Sequence, residues 1–118
     1  MRQNRKDVEK IMKIPLYYPE QDYFENKLVQ NDNKKSRTAR SLIRLGIKQY
    51  CEDSHDSFGE IAINVPAYAQ TDLAYVIYVP MKKDSTEYRF CERMSQILKM
   101  PLGKVVRYFM IYDWRYHS

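Results

Sequence analysis

Along this chain the spacing of apolar residues switches between two periods, and does so twice in the same order. In residues 12–18, MKIPLYY, the side chains Ile14, Leu16 and Tyr18 alternate with Lys13, Pro15 and Tyr17, which is the two-residue period of a strand. Pro19 and Glu20 then suit the first turn of a helix whose apolar stripe is Tyr23, Phe24, Leu28 and Val29. Polar turn-formers, QNDNKKS, end that helix, and Ser36 is placed to cap the next one. On this second helix Ala39, Leu42, Ile43, Gly46 and Tyr50 fall at i, i+3, i+4, i+7 and i+11, while Arg37, Arg40, Arg44 and Lys48 occupy much of the remaining surface. Gly46 lowers helix propensity, and the close approach of a crossing helix explains its presence.

The pattern then recurs. Residues 74–80, AYVIYVP, form a second strand ending in Pro, with Tyr75, Ile77 and Val79 facing in and Ala74, Val76 and Tyr78 facing out. A helix over roughly 85–99 carries Tyr88, Cys91, Met94, Ile97 and Leu98. Pro101-Leu102-Gly103 turns the chain into a last helix carrying Val105, Val106, Phe109, Met110 and Trp114. Ala39-Arg40 overlays Val106-Arg107 at an offset of 67 positions, and Leu42, Ile43 and Ile47 then overlay Phe109, Met110 and Trp114. Strand, helix, helix is thus written twice, an internal repeat that decides the fold. Residues 12–50 form the first unit and 74–118 the second. A unit of about 40 residues cannot bury its own apolar face, so the two share one core over 12–118.

Charge adds a second observation. The net charge is +5, but residues 1–50 carry twelve Lys/Arg against six Asp/Glu, residues 51–73 carry five acids and no Lys/Arg, and residues 74–118 carry eight bases against four acids. Two basic units flank an acidic connector, which favours a polyanionic partner over an acidic-protein decoy, with a solvated basic face as the plain alternative. Residues 1–11 form a basic arm with Arg2, Arg5, Lys6 and Lys10, either a reach toward phosphates or a minor groove or a plain terminus. The connector is too long for a tight link and is expected to pack on the fold, with Ile61 to Val65 as a possible extra strand. No run approaches a membrane span and the Met1 end is polar without a signal-peptide core, so the expected location is cytoplasmic.

The segment RMSQILKMPLGKVVRYFM, together with KKSRTARSLIRLGIKQY as its first copy, resembles the ribbon–helix–helix superfamily of the Arc/MetJ/CopG type. Two copies in one chain are similar in arrangement to TraY-type plasmid-transfer accessory proteins. The resemblance implies a mainly α fold with a short antiparallel β-ribbon, two ribbon–helix–helix units fused as a pseudo-dimer. It also implies sequence-specific double-stranded DNA binding, as a transcriptional regulator or as a relaxosome or partition factor of a mobile element, with a relaxase or another protein of that complex as a further partner. Lys13, Tyr17, Val76 and Tyr78 are the implied base readers, of which Lys13 is the one conventional choice. Ser36, Arg37, Gly103 and Lys104, with Lys34 and Lys35 just ahead, stand where backbone N–H groups would clamp phosphates. A single chain would act as a monomeric pseudo-dimer or associate further on DNA. The alternative is a protein-interaction module on the same core, an adaptor or antitoxin-like binder, favoured by the apolar outward positions Pro15 and Val76.

No enzyme is expected. Cys51 and His55 have a C-x-x-x-H spacing, but Cys91 and His117 are remote and nothing makes four ligands converge, so neither a metal nor another cofactor is implied. No third group orients a Cys–His pair, and three glycines leave little room for a phosphate loop. Eleven tyrosines suggest an aromatic platform for single strands or, since most lie on the apolar series, core packing with hydroxyls at the rim.

Overall fold

A computed structural model describes residues 9–53 and 72–117 of the 118. Strands β1 (Glu9–Tyr17) and β2 (Leu73–Lys82) pair antiparallel into a two-stranded ribbon with Lys13 opposite Tyr78. The register is even from Glu9/Lys82 to Leu16/Tyr75 and shifts between Leu16 and Tyr17. Met12, Ile14, Leu16, Ile77, Val79 and Met81 are buried on one face. A slip of one residue in either strand would turn its three to solvent, so the apolar alternation fixes the pairing. Pro15 opposes Val76 and Pro80 opposes Ile11, which puts both prolines on the alternate positions whose backbone groups point away from the partner strand. Both strands are edges, so the ladder loses no donor.

The strands run further than their sequence pattern suggests. β1 starts at Glu9, taking 9–11 from the arm, and β2 continues through Pro80 to Lys82 instead of ending there. Tyr18 does not share the face of Ile14 and Leu16; it lies beyond β1, is exposed, and donates its backbone N–H to the Asp72 carbonyl at 2.9 Å. The residue before a proline is held out of the regular helical region, and here the chain turns at that point. Arg2, Arg5, Lys6 and the proposed Ile61 to Val65 strand lie outside the described residues.

Helices α1 (Glu20–Gln30) and α2 (Lys35–Glu52) follow β1; α3 (Thr86–Leu98), α4 (Leu102–Met110) and α5 (Tyr112–Tyr116) follow β2. On α1, Phe24 is buried, Tyr23 and Leu28 are partly so, but Val29 is exposed and Glu20 and Gln21 are buried instead. The buried positions 20, 21, 24 and 28 follow the helical period, which Val29 leaves by more than a quarter turn. Ser36 is not the cap of α2. That position is Lys34, after Asp32 and Asn33 take left-handed φ of 57° and 60°, and no side chain caps the helix. The five apolar positions assigned to α2 are all buried, and Thr38 joins them with Oγ1 donating to the Lys34 carbonyl. Ser85 caps α3 by accepting the Tyr88 N–H at 3.2 Å, and Tyr88, Cys91 and Met94 are buried while Ile97 is exposed near the helix end. The last helix is two helices, broken at Ile111.

One core draws on both halves of the chain. α2 packs on β2 and α4 on β1, so each second helix lies under the strand of the other half, and the two helices cross against each other. A Cβ on Gly46 would come within 2.7 Å of the Phe109 carbonyl carbon, so only glycine permits this crossing. Every residue of α4 from Val105 to Met110 is buried, as expected for a helix covered all round. Tyr50, Phe90 and Tyr108 meet the Phe109 ring edge-on with centroids 5.4, 5.4 and 5.2 Å away. Tyr50, Tyr88, Tyr108 and Tyr112 are core residues, whereas Tyr18, Tyr78 and Tyr116 are exposed.

A charge sits inside this core. Arg107 on α4 is 4% exposed and Glu20 at the start of α1 is fully buried. Arg107 donates from Nε to Glu20 Oε1 at 2.8 Å and from Nη2 to Oε2 at 3.1 Å, a bidentate pair. Glu20 Oε1 also accepts the Tyr17 N–H at 3.0 Å, and the guanidinium lies 4.8 Å from the Tyr17 ring centroid. Its repeat partner Arg40 instead donates to the Pro80 carbonyl at 3.0 Å. Arg40 thus holds β2 to α2, and Arg107 holds the end of β1 and the start of α1 to α4.

Candidate nucleic-acid interface

The outer face of the ribbon is built from the side chains that the buried face excludes. In cross-strand order these are Glu9 with Lys82, Ile11 with Pro80, Lys13 with Tyr78, and Pro15 with Val76. Ile11 is 58% and Tyr78 61% exposed; Pro15, Val76 and Pro80 are half-buried. Lys13 is the sole cation in the middle of a face that is otherwise apolar or phenolic. Lys13 and Tyr78 are thus direct neighbours, and Val76 lies one layer away. Tyr17 stands at the register shift opposite Leu73, with its ring against Arg107.

Both second helices begin beside this ribbon. Gly103, at the start of α4, lies so near β1 that a Cβ there would stand 3.3 Å from the Lys13 carbonyl oxygen. Ser36, at the start of α2, shares a cleft of about 490 Å³ with Glu9, Arg40, Pro80, Lys82 and Ser85. Neither α2 nor α4 has an acid in its first turn, whereas α1 carries Glu20 and Asp22 and α3 carries Glu87. The positive end of each second helix is therefore left uncompensated by its own side chains. Lys34, Lys35, Arg37 and Lys104 are exposed around these two starts. The sequence-derived set is in this sense divided between an exposed ribbon centre and two basic helix starts beside it.

Arg40 and Arg44 line the cleft at the α2 end. Arg44 donates to Glu87 Oε1 from Nε at 2.9 Å and Nη2 at 2.6 Å. Burial pushes the Glu87 carboxyl up, but its own backbone hydrogen bond and the Arg44 guanidinium outweigh that and hold it below its ordinary value. Sequence reasoning placed Arg40 and Arg44 on a solvated surface and did not pair Arg107 with Glu20. The unbroken apolar run on both sides of Arg107 was the one signal that this arginine would be buried.

Among the described residues no three His, Cys, Asp or Glu side chains come together as a metal site, and no helix is long and apolar enough to cross a membrane. His55 and the acids at 56 and 60 lie outside them. Cys51 is exposed at the end of α2 and Cys91 is buried on α3. Burial first and Glu87 second push the Cys91 thiol up to about 12, and burial with the Glu25 carboxylate pushes Tyr75 to about 12 as well. Both are acids neutral when protonated, with folded values raised above unfolded ones. Their contribution to stability is therefore complete below about pH 9 and is lost as the pH rises toward 12. A thiol reagent at pH 8 is expected to modify Cys51 quickly and Cys91 only on unfolding, and urea midpoints to fall steadily above pH 9. Equal reaction rates for the two thiols would contradict the placement of Cys91.

No family model, no curated protein and no solved structure matches this chain.

Proposed function

We propose that this chain is a tandem ribbon–helix–helix protein that binds double-stranded DNA sequence-specifically, as a transcriptional regulator or as an accessory factor at a transfer or partition site of a mobile element. The observation that carries this reading is an exposed antiparallel ribbon with two lysine-bearing helix starts beside it, neither with an acid in its own first turn. A two-stranded ribbon fits the roughly 12 Å major groove, and helix starts are ready sites for phosphate oxygens. The element order strand–helix–helix, occurring before and after the connector, and the exchange of second helices between strands support two fused units. In this reading Lys13 and Tyr78 touch base edges, and Lys34, Lys35, Arg37 and Lys104 touch phosphates. One observation favours a second reading, a protein-interaction module: the exposure of Ile11 and Tyr78 beside Pro15, Val76 and Pro80.

Fluorescence anisotropy with labelled duplexes from the DNA flanking the protein's own gene separates the two. With these four phosphate contacts, log K should fall against log salt with a slope of roughly −3 to −4. Lys104→Ala is expected to weaken all duplexes alike and reduce that slope by about one. Lys13→Ala is expected to weaken the preferred duplex about ten-fold or more, while leaving the others nearly unchanged. Co-purification of a stoichiometric protein, with only weak and fragment-independent DNA binding, would favour the adaptor.

A further inference from the structure

We infer that the ribbon recognises the 5-methyl groups of thymines, in two layers on either side of the Lys13–Tyr78 pair. This inference rests on the duplex-binding reading given above. In the major groove every base pair presents hydrogen-bonding groups, and the one apolar feature is the thymine methyl. The outer face of this ribbon offers the complementary chemistry. Ile11 with Pro80 forms one apolar layer and Pro15 with Val76 the other, and none of these four side chains can donate or accept a hydrogen bond. Charge favours a polyanion over an apolar protein surface as the occupant. Lys13 stands at the centre of the face, and the exposed Lys34, Lys35, Arg37 and Lys104 surround the helix starts beside it.

Spacing agrees with this assignment. Residues two apart on a strand are separated by about 6.6 Å. Bases on one DNA strand rise by about 3.4 Å per step. The two apolar layers therefore fall about two base-pair steps to each side of the central pair. Lys13 can donate to guanine O6 and N7 at the centre, and the Tyr78 hydroxyl can donate or accept there. The implied site is a short run with a central G·C pair and thymines on both sides, and its two flanks need not be identical because Ile11 and Val76 differ in shape.

The test uses the full chain and a duplex pool with a randomised core. Rounds of selection should enrich thymines about two steps from a central guanine. The enriched duplex is then remade with deoxyuridine in place of thymidine, which removes only the methyl groups. Each buried methyl contributes about four-fold, so losing two or three should weaken binding more than ten-fold. Ile11→Ala with Val76→Ala should bring the thymine-to-uracil ratio close to one, whereas Lys104→Ala should weaken both duplexes and preserve the ratio. Selected duplexes that bind equally well with thymine and uracil would overturn this inference and leave the duplex-binding reading standing. Failure to enrich any sequence, with salt-sensitive background binding only, would overturn both and assign the apolar layers to a protein partner.

Discussion

Arg107→Ala is expected to lower the stability of the chain by about 3–5 kcal/mol. The reason is the charge left behind. Glu20 is fully buried, and without the guanidinium only a neutral donor such as the Tyr17 N–H faces a carboxylate taken out of water. Glu20→Ala should cost a similar amount, because it removes the carboxylate that balances the buried guanidinium. The double change Glu20→Ala with Arg107→Ala is the informative variant: both charges are gone, and the loss should be clearly less than the sum of the singles. Urea denaturation of the four proteins measures this directly. Strictly additive losses would show that the two side chains are not the coupled pair described. The consequence reaches the interface, since this pair ties the end of β1 and the start of α1 to α4 and so fixes the ribbon over the helix start at Gly103.

Gly46→Ala carries the second large effect, and its sign opposes helix propensity. In an open helix the change would be worth about 1 kcal/mol in favour of Ala. Here the new methyl would occupy the space of the Phe109 carbonyl, a backbone group that cannot rotate away, so α2 and α4 must move apart. Such overpacking against backbone should cost about 3 kcal/mol or more. A loss of that size corresponds to a fall of roughly 10–20 °C in Tm for a domain near this length. Calorimetry or thermal circular dichroism checks it. A variant as stable as the parent would mean that the helices do not cross at this contact.

Gly46 also shows what could be read from sequence and why. A glycine in an otherwise regular apolar series had no local justification, which pointed to a crossing neighbour, and Phe109 is that neighbour. The strand faces were legible for the same kind of reason: a period of two assigns Ile14, Leu16, Ile77 and Val79 to one side without knowledge of the partner strand. Boundaries were less legible. Pro80 reads as a stop, yet proline ends a strand only where its N–H is needed, and in a two-stranded ribbon the alternate positions need none. Ser36 reads as a cap, but the left-handed Asp32 and Asn33 start α2 earlier. Glu20 and Arg107 were invisible as a pair, being 87 positions apart, because two charged residues give no apolar period to align. The ribbon residues Lys13, Tyr78 and Val76 were nameable from alternation alone. Their relation to Gly103 and Ser36 follows from packing each second helix under the other half's strand, which no local pattern encodes.

The most direct test of the account is to map the surface that meets DNA. In a 15N-labelled sample titrated with the selected duplex, the amides of Ile11, Lys13, Val76 and Tyr78 should shift together with those of Ser36, Arg37, Gly103 and Lys104, while the exposed ends of α1 near Val29 and of α3 near Ile97 stay unchanged. Shifts confined to the helical surface away from the ribbon would contradict the account.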